Sequence, residues 1–400
     1  MIAAPSYRAL LRVPGFPALL AGTLLARTAL QMLAITLVLF VLGAYRSPTL
    51  AGLASFLWVF PALLVSPLAG ALLDRYGRVR MIVVDYTVQV ATFALIGGLS
   101  LSGRLPPALL LVIVGIGSLT GILSITGGRT LFPLLVPEPL WERANALDSQ
   151  GYVVATLVGP PAAGFLVGAL GGAWALIACT SVVAAGALAM WLVPDPALEP
   201  APGSLLANAA AGVRYVLASA SLRGLAITLT VLNLGFGIMQ IALPVLLLGR
   251  LHQPPVVVGI AYAVMGVAGL TTGLASGRFD SRDRERQIIT VMNAISALGL
   301  AVLALATNLW LVFLAMAVIG AATGPSDVAM FTLRQRRTNR AWYGRAFAVS
   351  MSLNYSGQPI GAAVAGPLIG VSLLVALWAG AAITAASTLL PITLIPRQEN

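Results

Sequence analysis

Apolar residues run along this chain in long stretches, each closed by a short polar or arginine-bearing break. Six lie near residues 17–41, 49–73, 81–101, 107–131, 147–170 and 173–193, and six more near 225–248, 256–277, 288–306, 309–333, 346–370 and 372–395. A helix crossing about 30 Å of hydrocarbon needs roughly 20 apolar residues at 1.5 Å each. The stretches are continuous and rich in Leu, Ala, Val and Gly, whereas barrel strands are short alternating segments. The pattern predicts an all-α membrane protein of twelve transmembrane helices, numbered spans 1 to 12. Composition agrees, with 59% hydrophobic and 9% charged residues and a mean hydropathy of +0.96, where soluble domains carry about 25% charged residues.

Charge adds orientation. All 23 basic residues are arginine, against 12 acidic ones and a net charge of +11. With the N-terminus in the cytoplasm, nineteen arginines fall on the inner side and only Arg46, Arg104 and Arg250 on the outer side, while Arg27 lies inside span 1. This positive-inside bias predicts cytoplasmic termini and a multi-pass protein of the bacterial inner membrane. The arginines are spread over short loops facing anionic lipid, which argues against a nucleic-acid partner. No cleavable signal is visible. Cys179 is single, which excludes an internal disulfide. His252 reads as a solvated outer-loop residue. No metal-ligand cluster, phosphate loop or catalytic triad is present, so the expectation is a non-enzyme without cofactor or metal.

The polar interruption at 194–221 divides the spans six and six. It sets an N-terminal half at 1–193, a cytoplasmic linker at 194–221 and a C-terminal half at 222–400, with 204–219 suited to an amphipathic helix on the inner face. The halves repeat at a shift of about 200 residues. Arg143-Ala144 matches Arg345-Ala346, and Gly159, Gly164 and Gly168 match Gly361, Gly366 and Gly370. Thr126-Gly127 matches Thr323-Gly324. Duplicated halves mark alternating-access transporters, with substrate bound near mid-membrane at the repeat interface. Two pseudo-symmetric six-helix bundles are therefore expected.

Between spans 2 and 3 the chain reads Gly70-Ala-Leu-Leu-Asp74-Arg75-Tyr76-Gly77-Arg78-Val79-Arg80. Gly70 allows close helix approach, Gly77 permits a tight turn, and Asp74 can accept from Arg78 or from a neighbouring helix start. This loop resembles the signature loop of the major facilitator superfamily, with Val79 departing from its last basic position. The resemblance implies that Gly70, Asp74, Arg75, Gly77 and Arg78 latch the two halves at the inner face. Their implied docking partner is the start of span 11, around Trp342 to Arg345. It also implies that Asp85, one turn into span 3, joins the Asp74/Arg75 charge network; a proton-carrying role is the sharper alternative.

Span 5 holds Ala155-Thr-Leu-Val-Gly159-Pro160-Pro161-Ala162-Ala163-Gly164. Proline frees a carbonyl and small residues admit a close partner helix. Gly159, Pro160 and Gly164 resemble the exporter motif of proton-coupled antiporters in the same superfamily. The run from Gly127 through Pro133 and Pro137 to Arg143-Ala144-Asn145-Ala146 resembles the branch containing macrolide and siderophore efflux proteins.

Polar groups inside membrane spans are costly, which makes them functional candidates. Arg27 and Gln31 lie one turn apart in span 1 and face one side. They are expected to line a central cavity, along with Trp58 and with Asn233, Met239 and Gln240 of span 7. Asp148 opens span 5. Asp327 lies in span 10 and is expected to pair with Arg129 across the half-to-half interface and to carry the proton. Structural alternatives remain: Arg27 held by carbonyls, and Asp327 capping a kink after Pro325. Many proton-coupled members of the superfamily carry an acid in span 1, and this chain has none there. The expectation is a monomeric proton antiporter, embedded in lipid, that exports small hydrophobic organic compounds. The alternatives are an importer, uniporter or lysophospholipid flippase of the same fold, or a non-transporting membrane sensor.

Overall fold

The computed structural model describes residues 6–195, 205–276, 281–339 and 342–397, and among them regular structure is helical, with no strand. Eleven helices among the described residues are long and apolar enough to cross a membrane. The helix Tyr343–Val371 supplies span 11, so the twelve-span all-α reading holds.

The helices run past the apolar stretches into their polar flanks. Spans 1 to 3 are Phe16–Tyr45, Pro48–Tyr76 and Arg78–Leu101. Spans 5 and 6 are Trp141–Leu170 and Gly172–Trp191, joined by Gly171 at φ +80°. Span 7 is Ala220–Pro244, and its chain continues in a wider turn over Val245–Arg250. Spans 8, 9 and 10 are Pro255–Ser276, Glu285–Ala304 and Leu309–Arg336. Span 12 is Leu373–Ala386 followed by a short turn of helix at Leu390–Leu394. The expected amphipathic helix is Leu205–Ala218. Span 4 differs from the single helix expected. It is broken into Pro107–Ser118 and Gly121–Leu135 around Leu119-Thr120.

Local chemistry sets the starts. Proline opens spans 2, 4 and 8, where a missing N–H costs nothing. Side-chain oxygens of Ser219, Asn308 and Ser372 accept from the first-turn amides of Leu222, Leu311 and Leu374. Within spans, hydroxyls turn back on their own helix, as Thr23 does to the Leu19 carbonyl at 2.8 Å and Thr228 to Gly224 at 2.8 Å. A membrane helix can thus carry Ser and Thr with their hydroxyls bonded to its own carbonyls. Large apolar residues such as Leu188, Trp310 and Val371 remain exposed, as lipid-facing side chains are.

The chain divides into two compact units. Unit 1 comprises Met1–Phe40 and Leu57–Leu205. Span 3 packs along spans 4 and 6, and Ala62, Ala69, Leu73, Ile122 and Leu123 form an apolar cluster between spans 2 and 4. Unit 2 comprises Val41–Phe56 and Leu206–Asn400. In it span 7 packs along span 11, and span 10 along spans 8 and 9. Its core is centred on Leu225, Leu229, Ile289, Met330 and Leu333. The tip of the first hairpin belongs to unit 2 because it packs on span 11, with Gly52 against the Ala362 carbonyl and Thr49 against Gly366.

Candidate functional site

Span 5 places Asp148, Tyr152, Thr156 and Gly159 at helical spacing on one face, and in unit 1 that face meets span 1. Arg27 Nη1 lies 2.7 Å from Asp148 Oδ1 and also donates to the Asp148 carbonyl at 3.1 Å. Its guanidinium sits over the Tyr152 ring, 3.8 Å from the centroid. One turn on, Gln31 Nε2 approaches Thr156 Oγ1 at 3.4 Å, and Gly159 lies against Gln31 Cβ and the Thr28 carbonyl. The Arg27 and Asp148 side chains are 13% and 14% exposed, so water reaches the pair only at its edge. The carboxylate that faces Arg27 thus comes from span 5. Arg27 is held by a carboxylate and a ring as well as a carbonyl.

The shift that carries Arg143 onto Arg345 carries these span 5 residues onto Ser350, Asn354, Gln358 and Gly361. In unit 2 the corresponding seam joins spans 7 and 11. Asn233 Nδ2 donates to Asn354 Oδ1 at 2.5 Å and to the Leu229 carbonyl at 2.9 Å. Gln358 Nε2 donates to Gln240 Oε1 at 3.1 Å, and Thr230 Oγ1 to the Leu353 carbonyl at 2.8 Å. Gly357, Gly361 and Gly237 face the partner backbone directly, and a Cβ on Gly361 would run into the Leu234 carbonyl. Ser350, the counterpart of Asp148, accepts from Arg334 Nε of span 10 at 3.1 Å. Arg334 is fully buried, with Met351 Sδ 2.8 Å from Nη1 and the Phe331 ring nearby.

The other expected residues distribute as follows. Asp85 is fully buried, accepting from Gln89 Nε2 at 2.9 Å and Thr120 Oγ1 at 2.8 Å. Thr120 sits at the break of span 4, so this carboxylate ties the broken span to span 3. Trp58 packs edge-on against Phe93, with centroids 4.7 Å apart. Met239 is closed into the interior of unit 2. Asp327 is exposed. The side chains of Asp74, Arg129 and Arg345, and the surroundings of Gly70, lie outside the described residues. Arg75 is exposed, with its guanidinium 5.4 Å from the Tyr76 ring, and Arg78 is half-buried. Gly77 takes φ +94° and ends the loop at the start of span 3. There the amides of Val79 and Arg80 meet the carboxylate of Asp195, at 3.2 and 3.4 Å. Pro160 and Gly164 are buried, and the helix passes through both prolines unbroken.

Sequence reasoning did not single out Tyr152, Asn354, Gln358, Arg334 or Asp195. For Asn354 and Gln358 the signal was present, since the repeat maps them onto the span 5 residues that touch span 1. Asp195 gave none, because it falls in a proline-rich connector.

Twelve spans with a repeated sequence, a Gly-Asp-Arg-Gly-Arg loop between spans 2 and 3 and polar seams within each unit are the features of a membrane transporter. The model of the Major Facilitator Superfamily matches residues 19–362 and 225–399, and the chain belongs to that superfamily. It is 38% identical over 374 residues to a Sinorhizobium fredii protein described as an uncharacterized MFS-type transporter, y4rN, covering 92% of each chain. It is 26% identical to the multidrug efflux pump Tap of Mycolicibacterium fortuitum, covering 80% of each. The crystal structure of the nucleoside transporter NupG shares the fold, with a TM-score of 0.78 at 13% identity over 95% of this chain and 98% of that one. The protein is a multi-pass membrane transporter of small molecules and not an enzyme.

Proposed function

We propose that this transporter exports small hydrophobic organic compounds across the bacterial inner membrane by proton antiport, with the Arg27–Asp148 pair as its coupling site. The observation that carries the reading is the ion pair itself, which lies in the span 1–5 seam on the face of span 5 that also carries Gly159. An intramembrane pair is costly to desolvate and is kept where charge has a task. A proton on Asp148 removes the countercharge of Arg27, and the guanidinium is left against the Tyr152 ring. The pair opens, and the seam between spans 1 and 5 changes with it. Coupling follows if substrate and proton compete for the opened pair. The efflux function named for the Tap relative supports the outward direction. The arginine excess of the loops assigned to the inner side supports cytoplasmic termini. Asp327, exposed on span 10, is the second carboxylate to test.

The test uses the purified protein in liposomes with ethidium as probe. An acid-inside gradient is expected to drive ethidium accumulation, and a protonophore to abolish it. Asp148→Asn is expected to fold and to lose the response to the gradient. Accumulation that ignores the protonophore overturns antiport, and a normal gradient response in Asp148→Asn moves the coupling site elsewhere.

A further inference from the structure

We infer that Asp195, at the end of span 6, is a positioning residue for transport: its carboxylate caps the start of span 3 and thereby sets the conformation of the Gly70–Arg80 loop. The first amides of a helix lack partners within the helix and carry a partial positive charge. At span 3, Asp195 Oδ1 accepts from Val79 N–H at 3.2 Å and Oδ2 from Arg80 N–H at 3.4 Å. Gly77, the residue before the helix, offers no side chain to this end. A Cβ at Gly77 would strike Asp195 Oδ2. The signature glycine thus has two tasks here: it takes φ +94°, and it leaves the space that the carboxylate fills.

The carboxylate is itself fixed. Val193 is buried, and Pro194 packs so closely on Gly15, at φ +80° before span 1, that a Cβ there would meet the proline ring. The Val193–Asp195 tail is wedged between two glycines, one ahead of span 1 and one ahead of span 3. The chain then continues from Asp195 toward the amphipathic helix Leu205–Ala218. The signature loop is consequently tied to the connector between the halves by two hydrogen bonds that must stretch or break if the loop moves without it.

The role is that of an acceptor, so Asn and Ser replace Asp195 and Ala does not. In hydrogen exchange on the full-length protein in detergent, Asp195→Ala is expected to speed exchange at Val79 and Arg80 about fivefold, the effect of one lost cap. Exchange in the rest of spans 3 and 6 stays unchanged. Gly77→Ala, which pushes the carboxylate away, gives the same local change. In the ethidium assay Asp195→Ala and Gly77→Ala lower the maximal rate about fivefold with the apparent KM unchanged, and Asp195→Asn and Asp195→Ser restore it. Unchanged exchange at Val79 and Arg80 in Asp195→Ala overturns the cap. Altered exchange with a normal rate overturns the positioning role. Failure of Asn and Ser to rescue overturns the acceptor argument.

Discussion

The seam between spans 1 and 5 and the seam between spans 7 and 11 occupy corresponding places in the two units and carry different chemistry. Glycines set close approach in both, with Gly159 against span 1 and Gly361 against span 7. Unit 1 then places Arg27, Asp148 and Tyr152 where the repeat puts Leu229, Ser350 and Asn354 in unit 2, and there the amide pair Asn233–Asn354 bridges the seam. Neutral hydrogen bonds between membrane helices contribute about 0.6–2 kcal/mol each. A buried ion pair adds little net stability, because desolvation offsets the attraction, and apolar replacements of the pair are often neutral or better. Close packing alone would be met by the amide design on both sides. The charge in unit 1 sets the two seams apart, and the proposed coupling mechanism assigns proton sensitivity to unit 1 and leaves the seam of unit 2 as a neutral hydrogen-bonded contact.

The largest effect that can break this comparison comes from splitting the pair. Arg27→Ala leaves Asp148 buried without its countercharge and is expected to lower stability by about 3–5 kcal/mol, read as thermal unfolding in detergent. The double replacement Arg27→Leu with Asp148→Leu is expected to recover most of that stability and to abolish gradient-driven transport. A double variant as unstable as the single one would mean that the pair is structural, and the two seams would then differ only in detail. Next in size is Gly361→Val. Its side chain meets the Leu234 carbonyl, and overpacking of this kind costs about 1–3 kcal/mol. The expected outcome is a lowered unfolding temperature and a slowed maximal rate, with the dependence on the pH gradient intact.

Much of the scaffold was legible because bilayer physics writes it in one dimension. A run of about 20 apolar residues is a span wherever it packs, and the amphipathic segment at 204–219 appeared as the helix Leu205–Ala218. The break in span 4 was hidden, since Leu119-Thr120 sits inside an apolar run and the break is marked by tertiary contact, with Thr120 donating to Asp85. Arg27 and Asp148 were both legible as costly residues, but their pairing was not. It spans 121 positions and depends on which faces of two helices meet. Asp195 was read as part of a linker because proline-rich sequence signals a connector, while its role comes from two glycines far away in sequence. Charge and periodicity reveal which residues are expensive, and packing decides which of them meet.

The smallest effect sharpens the same comparison from the neutral side. Asn354→Ala removes the acceptor that faces Asn233 and leaves the Asn233 amide bonded to the Leu229 carbonyl. Because a donor is not stranded, the loss stays near the value of one interhelical hydrogen bond, about 0.6 kcal/mol. The expected result is a small drop in unfolding temperature, with the maximal ethidium rate and its response to the pH gradient kept. A loss of gradient response in Asn354→Ala would place proton sensitivity in unit 2 as well, and the asymmetry between the seams would no longer account for coupling.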